Sequence, residues 1–261
     1  MLLNYQLKKS TKQEINNKNE IIFIVHGLFG SLSNLSSLAK ELQANFDVVL
    51  IDVRNHGNSP RSKSMTYQEM ANDIFTLADV LKAQEFSIIG HSMGGKIAMM
   101  SALLQPQRVK RLVVADIAPI AYGDRHSSVF MGLKSVQQLQ APNRTEAEKI
   151  LAGYIETPEV RQFLLKSFQR SEDGFDFLYN VDNLYDNYHL ISGWPDQEGS
   201  YDKPSLFIKG ELSSYIDSQS QASIVTLFPN AKLKIIKNTG HWLHAEKPKS
   251  FNRLVNSFFA E

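Results

Sequence analysis

A serine set among glycines, Gly90-His91-Ser92-Met93-Gly94-Gly95, is the segment of this chain best suited to nucleophilic chemistry. It follows the apolar run Phe86–Ile89 and precedes the helical pattern Lys96–Leu104, so its G-x-S-x-G pattern falls on a strand-to-helix turn. Glycines allow the sharp turn that lifts the hydroxyl clear of the backbone, and the helix N-terminus favours negative charge developing beside it. In that setting Ser92 is read as a nucleophile and not merely as a helix cap. Attack on an acyl carbon creates an oxyanion, and each fixed backbone N–H aimed at it is worth roughly 3 kcal/mol. One donor is assigned to Met93, the residue after the nucleophile. The second is assigned to the loop His26-Gly27-Leu28-Phe29-Gly30, most directly to Leu28, with Phe29 as the other candidate.

A hydroxyl nucleophile needs a base, and the base needs an acid to orient it. Of seven histidines, His241 follows the apolar run Leu233–Ile236 through Asn238-Thr239-Gly240, where loops at the carboxyl edge of a parallel sheet bring side chains together. His244, three residues on, competes for the role. His26, His56 and His91 are read as hydrogen-bonding their own surroundings, and His126 and His189 as solvent or cap residues. For the acid, Asp116 ends the run Leu112–Ala115, next to the nucleophile's strand in sequence order. A more usual position lies three residues beyond a glycine after a later strand; here that pattern is Gly210-Glu211-Leu212-Ser213 and holds serine. Asp116 is therefore the expected acid, with Glu211 and Asp217 as alternatives. The turn Asp52-Val53-Arg54-Asn55-His56-Gly57-Asn58-Ser59 reads as a hydrogen-bonded brace at the same edge.

The elements that must position these groups follow from periodicity. Runs of near-continuous apolar character, Ile21–Val25, Val48–Val53, Phe86–Ile89, Leu112–Ala115, Ser205–Ile208 and Leu233–Ile236, suit strands buried on both faces. Helical patterns alternate with them at Asn34–Ala44, Thr66–Lys82, Lys96–Leu104, Ser218–Phe228 and Lys247–Phe259. The alternation predicts an α/β fold with a mostly parallel, doubly wound sheet. Between Ile117 and Lys203 the rhythm breaks for far longer than the ~30 residues of a strand-helix-strand unit. A structureless loop of that length is improbable on physical grounds, so an inserted helical cap is expected, with segments opening near Ser127, Thr145 and Pro158. The expected organisation is a core of residues 1–120 and 200–261 and a cap of 121–199. Candidates for substrate contact are Phe29, His91, Tyr185, Trp194 and Trp242. Lys8–Lys18 reads as a polar link between a first strand and the core.

Composition narrows the function. Lys plus Arg (28) nearly balances Asp plus Glu (27), which leaves no field to gather nucleic acid or anionic lipid. Cysteine is absent, removing thiolate nucleophiles, disulfides and cysteine-ligated metals. Neither a secretory leader nor a bilayer-length apolar stretch is visible, so a cytoplasmic protein without a membrane span is expected, acting without metal or organic cofactor.

With HGLFGS, DVRNHGNSP, GHSMGGK, the DIAP beginning at Asp116 and GHWLHAEKP around His241 in hand, the chain resembles the α/β-hydrolase family, and within it the bacterial YbfF-like esterases, from about Ile21 to Phe258. The resemblance implies hydrolysis of acyl esters, with acyl thioesters such as acyl-CoA as further substrates, and a Ser92–His241–Asp116 triad. Two other readings use the same residues. Carbon–carbon bond hydrolysis or a lyase step would turn over a diketone but not a simple aryl ester, and a receptor with a vestigial triad would capture ligand and release almost no product.

Overall fold

The computed structural model describes residues 1–12, 20–172 and 174–261; residues 13–18 of the expected polar link lie outside them. All six apolar runs become strands. A first strand, β1 (Tyr5–Lys8), is followed by β2 (Ile21–Val25), α1 (Ser36–Leu42), β3 (Asp47–Ile51), α2 (Tyr67–Val80), β4 (Phe86–His91), α3 (Met93–Leu104) and β5 (Val109–Ala115). The insertion then carries α4 (Ser127–Gln138), α5 (Arg144–Ala152), α6 (Pro158–Leu165), a hairpin of β6 (Phe168–Ser171) and β7 (Gly174–Phe177), α7 (Val181–Asp186) and α8 (Tyr188–Ser192). The chain returns through β8 (Ser205–Gly210), α9 (Ser218–Leu227), β9 (Ala231–Ile236), α10 (Leu243–Glu246) and α11 (Pro248–Ala260).

The sheet has seven strands in the order β1-β3-β2-β4-β5-β8-β9, with β1 antiparallel and every other pair parallel. Alternate residues of a strand face opposite sides, and β2 divides its apolar content accordingly. Ile22 and Ile24 join Leu38 and Leu42 of α1 and Phe251 and Val255 of α11 in one core cluster. Phe23 and Val25 join Met70 and Ile74 of α2 and Ile97 of α3 in the other. Two buried layers explain why the central strands are apolar almost throughout. The outermost strand β9 differs: Leu233 and Ile235 are exposed, and Lys232 and Lys234 alternate with them, as suits an edge. Helix α2 begins at a reciprocal cap in which Thr66 accepts from the Glu69 N–H and Glu69 returns to the Thr66 backbone.

The insertion is not wholly helical. Its β6–β7 hairpin sets Phe168 against Phe177 across the pair. A two-stranded ribbon here lets Phe168 and Phe177 bury one face together (ring centroids 4.9 Å apart) while Gln169 and Asp176 face solvent.

Candidate active site

Ser92 sits immediately after β4, at φ 54° and ψ −122°. A positive φ is costly for a residue with a Cβ, and the surrounding packing holds it there. A Cβ on Gly90 would lie 2.0 Å from the Gly94 carbonyl oxygen, and one on Gly94 would lie 2.3 Å from that of Val25. Both glycines are thus required by close backbone approach. The Ser92 N–H donates to the Ala115 carbonyl at 3.0 Å, tying the turn to the end of β5.

Asp116 leaves β5 at φ 51° and is fully buried. One carboxylate oxygen, Oδ1, accepts the Gly210 N–H at 2.9 Å. The other lies 2.8 Å from His241 Nδ1 and also accepts the Ser213 hydroxyl. His241 Nε2 in turn is 2.9 Å from Ser92 Oγ. Asp116, His241 and Ser92 therefore form one hydrogen-bonded chain. Glu211 instead accepts the Asn238 N–H, and Asp217 caps α9. His244 stacks edge-on against His91, with ring centroids 4.3 Å apart, and is not bonded to Ser92. His241 arrives from beyond β9 by a turn that crosses the end of β8, where a Cβ on Gly210 would lie 2.1 Å from the Gly240 carbonyl oxygen.

The loop after β2 meets this chain from the other side. The Phe29 N–H donates to His56 Nε2 at 3.1 Å, so Phe29 is excluded as the second oxyanion donor. Among the described residues no acceptor meets the N–H of Leu28 or that of Met93. His56 is fixed in turn by the Arg54 carbonyl (3.0 Å), and His26 Nε2 accepts the Val53 N–H at 3.0 Å. Asp52 accepts the Leu32 N–H at 2.8 Å, and Arg54 forms a two-pronged pair with buried Asp73 at 2.7 and 3.0 Å. The brace read at Asp52–Ser59 thus locks the loop that presents Leu28. Burial pushes His56 well below the ordinary imidazole range, so it stays neutral.

Above Ser92 lies a cavity of about 280 Å³, walled on its apolar side by Leu35, Val129, Ile155, Val160, Phe163 and Leu164. Phe29, His91 and Trp242 also line it, the last packed on Phe163 at 5.7 Å. His91 donates through Nε2 to the His241 carbonyl at 2.8 Å and so braces the His241 backbone. Two expected substrate contacts lie elsewhere. Tyr185 is half exposed with Lys134 Nζ 3.6 Å over its ring, and Trp194 packs on Tyr67 at 5.8 Å; neither borders the cavity. Tyr185 stands on the exposed side of α7, which buries Val181 and Leu184 instead. His126, expected in solvent or at a cap, stands at the N-cap of α4 without a side-chain capping bond; it borders the cavity with Nδ1 2.7 Å from the Tyr188 hydroxyl, and burial lowers it to about 4.

A smaller chamber of about 40 Å³ adjoins Ser92 on the far side, bordered by Tyr67, Tyr122, Tyr188 and Lys96. Lys96, on α3, is buried and donates to the carbonyls of Ser192 (3.0 Å) and Gly193 (2.6 Å) at the end of α8, with the Tyr122 ring 4.8 Å away. No residue pattern singled it out. Burial lowers its ammonium to about 7, whereas an unfolded lysine titrates near ~10.4. Between those values the unfolded chain holds a proton that the folded chain lacks, so the stability set at this site is lowest below about pH 7 and rises toward pH ~10. The melting temperature of Lys96→Met is expected to rise less between pH 7 and pH 10 than that of the wild type. Parallel pH profiles for the two proteins would contradict this account.

Residues 20–248 match the model of the alpha/beta hydrolase fold, and the chain belongs to the α/β-hydrolase family. It is 38% identical over 253 residues to esterase YbfF of Escherichia coli, the match covering 97% of each chain. It is 36% identical over 246 residues to the sn-1-specific diacylglycerol lipase ABHD11 of Danio rerio, covering 91% of this chain and 77% of that one. A solved structure of a marine microorganism esterase superposes with a TM-score of 0.91 at 39% identity, covering 98% of this chain and 99% of the other. Relatives of these names along nearly the whole chain place the enzyme among the carboxylic ester hydrolases. No helix among the described residues is long and apolar enough to cross a membrane.

Proposed function

We propose that the protein is a serine esterase or thioesterase that works through an acyl-enzyme. Ser92 Oγ attacks the acyl carbonyl while His241 Nε2 takes its proton, and Asp116 holds the imidazole in the matching tautomer and stabilises the imidazolium. The N–H groups of Leu28 and Met93 receive the oxyanion. His241 returns the proton to the departing alkoxide or thiolate, and water repeats the sequence on the acyl-Ser92 ester. The observation that carries this reading is the unbroken Asp116–His241–Ser92 chain at 2.8 and 2.9 Å, opening on an apolar cavity. A fluorophosphonate should add once per chain, with the adduct mapped by mass spectrometry to Ser92; modification at any other serine would contradict the assignment.

Residues 121–199 act in this reading as a cap that selects the acyl group. The wall facing Ser92 is more aliphatic than the aromatic content of the insertion implies: Phe163 faces the cavity, whereas Phe130, Phe168, Phe177 and Tyr179 pack within the core cluster. Phe163→Ala is expected to lower kcat/KM for long-chain relative to short-chain acyl esters by roughly 1 to 3 kcal/mol. The comparison is made across p-nitrophenyl esters and acyl-CoA thioesters of increasing length. A flat profile with a lowered melting temperature would show that Phe163 only packs.

A further inference from the structure

The loop that follows β8 is where many hydrolases of this kind carry the acid, and here Ser213 occupies that place. Relieved of the carboxylate, the loop touches both partners of the nucleophile. The Ser213 hydroxyl donates to Asp116 Oδ2, and two residues later the Tyr215 ring lies against the His241 imidazole, with centroids 4.0 Å apart and planes inclined by 21°. The Arg125 guanidinium carbon sits 4.4 Å from the same phenol centroid. Two groups that close fit only on opposite faces, so the ring is clamped between the base and an arginine from the insertion. Its backbone is held as well. The Tyr215 N–H donates to Ser213 Oγ at 3.2 Å, its carbonyl accepts the Tyr122 hydroxyl at 2.7 Å, and Arg125 Nη1 donates to Ser214 Oγ at 2.9 Å.

We propose that Tyr215 is a positioning residue for the hydrolysis, acting through His241 as a rigid plate that fixes the tilt of the imidazole and favours its charged form during attack. The proposal rests on the triad reading given above. Two in-plane hydrogen bonds, one at Nδ1 and one at Nε2, set where the ring points but leave it free to rock about the line joining its partners. A flat ring in stacking contact removes that rocking on one side. The electron-rich face of a phenol also attracts a cation, and the imidazole becomes a cation only as the Ser92 proton arrives. The contact is thus stronger in the transition state than in the resting enzyme, which is the condition for raising kcat.

The test compares Tyr215→Leu, Tyr215→Met and Tyr215→Phe with the wild type and with His241→Ala, using one short-chain aryl ester. Both aliphatic variants should lose about 10- to 30-fold in kcat with KM changed less than about 3-fold, on the scale of a desolvated cation–π contact. The second-order rate of phosphonylation at Ser92 should fall in parallel, because it reports serine activation without substrate binding. Tyr215→Phe, which keeps the plate, should restore most of the rate. Tyr215 also lines the cavity and the smaller chamber, so a rise in KM at unchanged kcat would leave it a substrate wall alone and overturn the proposal. Loss of rate in Tyr215→Phe equal to that in Tyr215→Leu would overturn it too, since the hydroxyl and not the ring would then matter. Two aliphatic replacements guard against a folding defect in one. If His241→Ala retained full turnover, the triad reading itself would fail; inactive His241→Ala beside fully active Tyr215→Leu would sink the Tyr215 proposal alone.

Discussion

Ser92→Ala is expected to abolish measurable ester turnover while leaving the melting transition within a few degrees of the wild type. Among the described residues the hydroxyl's one side-chain hydrogen bond is to His241 Nε2, so its loss removes the proposed attacking atom and little else. Backbone strain at φ 54° is independent of the hydroxyl. Residual catalysis from two oxyanion donors and binding alone leaves roughly 10³- to 10⁴-fold over water in enzymes with this constellation, far below what a routine assay detects. The measurement is steady-state hydrolysis of a p-nitrophenyl ester by purified variant, with circular dichroism as the control for folding. Turnover within 10-fold of the wild type, by a correctly folded variant, would remove Ser92 from the mechanism.

The second large effect belongs to Asp116→Asn, expected to lower kcat by about 10³- to 10⁴-fold. An amide in this position cannot stabilise the imidazolium, and in either orientation its NH2 meets a donor, the His241 Nδ1–H or the Gly210 N–H. It also disturbs the Ser213 hydroxyl and Gly210 N–H that now share the carboxylate. Glu211→Gln should cost little, because Glu211 is spent on the Asn238 turn. Kinetics of both variants against one ester decide the matter: if Glu211→Gln were the crippled enzyme, the acid would belong after β8.

The comparison between sequence and structure divides by the range of the interactions. The parallel α/β sheet was legible because central strands buried on both faces leave continuous apolar runs, as in β2, β4 and β5. Ser92, Asp116 and His241 stood out because each follows a strand end, where topology alone brings loops together. Other features depend on partners that no local pattern reveals. Phe29 and Leu28 are neighbours in one loop, and only the distant His56 makes their N–H groups unlike. Tyr215 looks like any loop tyrosine until His241 lies against it. Lys96 looks like an ordinary surface lysine of a helix until α8 ends over it. Tyr185 and Trp194 carry large rings, and ring size predicts burial against something but not which side. The β6–β7 hairpin is not legible because each strand has only four residues, too short for a two-residue period to stand out beside the cap's helical segments.

Gly210 shows what the arrangement demands of the chain. Ser92 and Asp116, the proposed nucleophile and acid, follow the ends of adjacent strands, β4 and β5, but His241 follows β9, two strand spacings of ~4.8 Å beyond β5. It must be carried back over β8, and the Gly240 carbonyl passes so low across that strand that only a hydrogen fits beneath it. The distance between His241 and Ser92 therefore depends on clearance at a residue that touches neither. Any side chain at 210 would act as a shim, raising the bridge that delivers the imidazole while every reacting group stayed chemically intact.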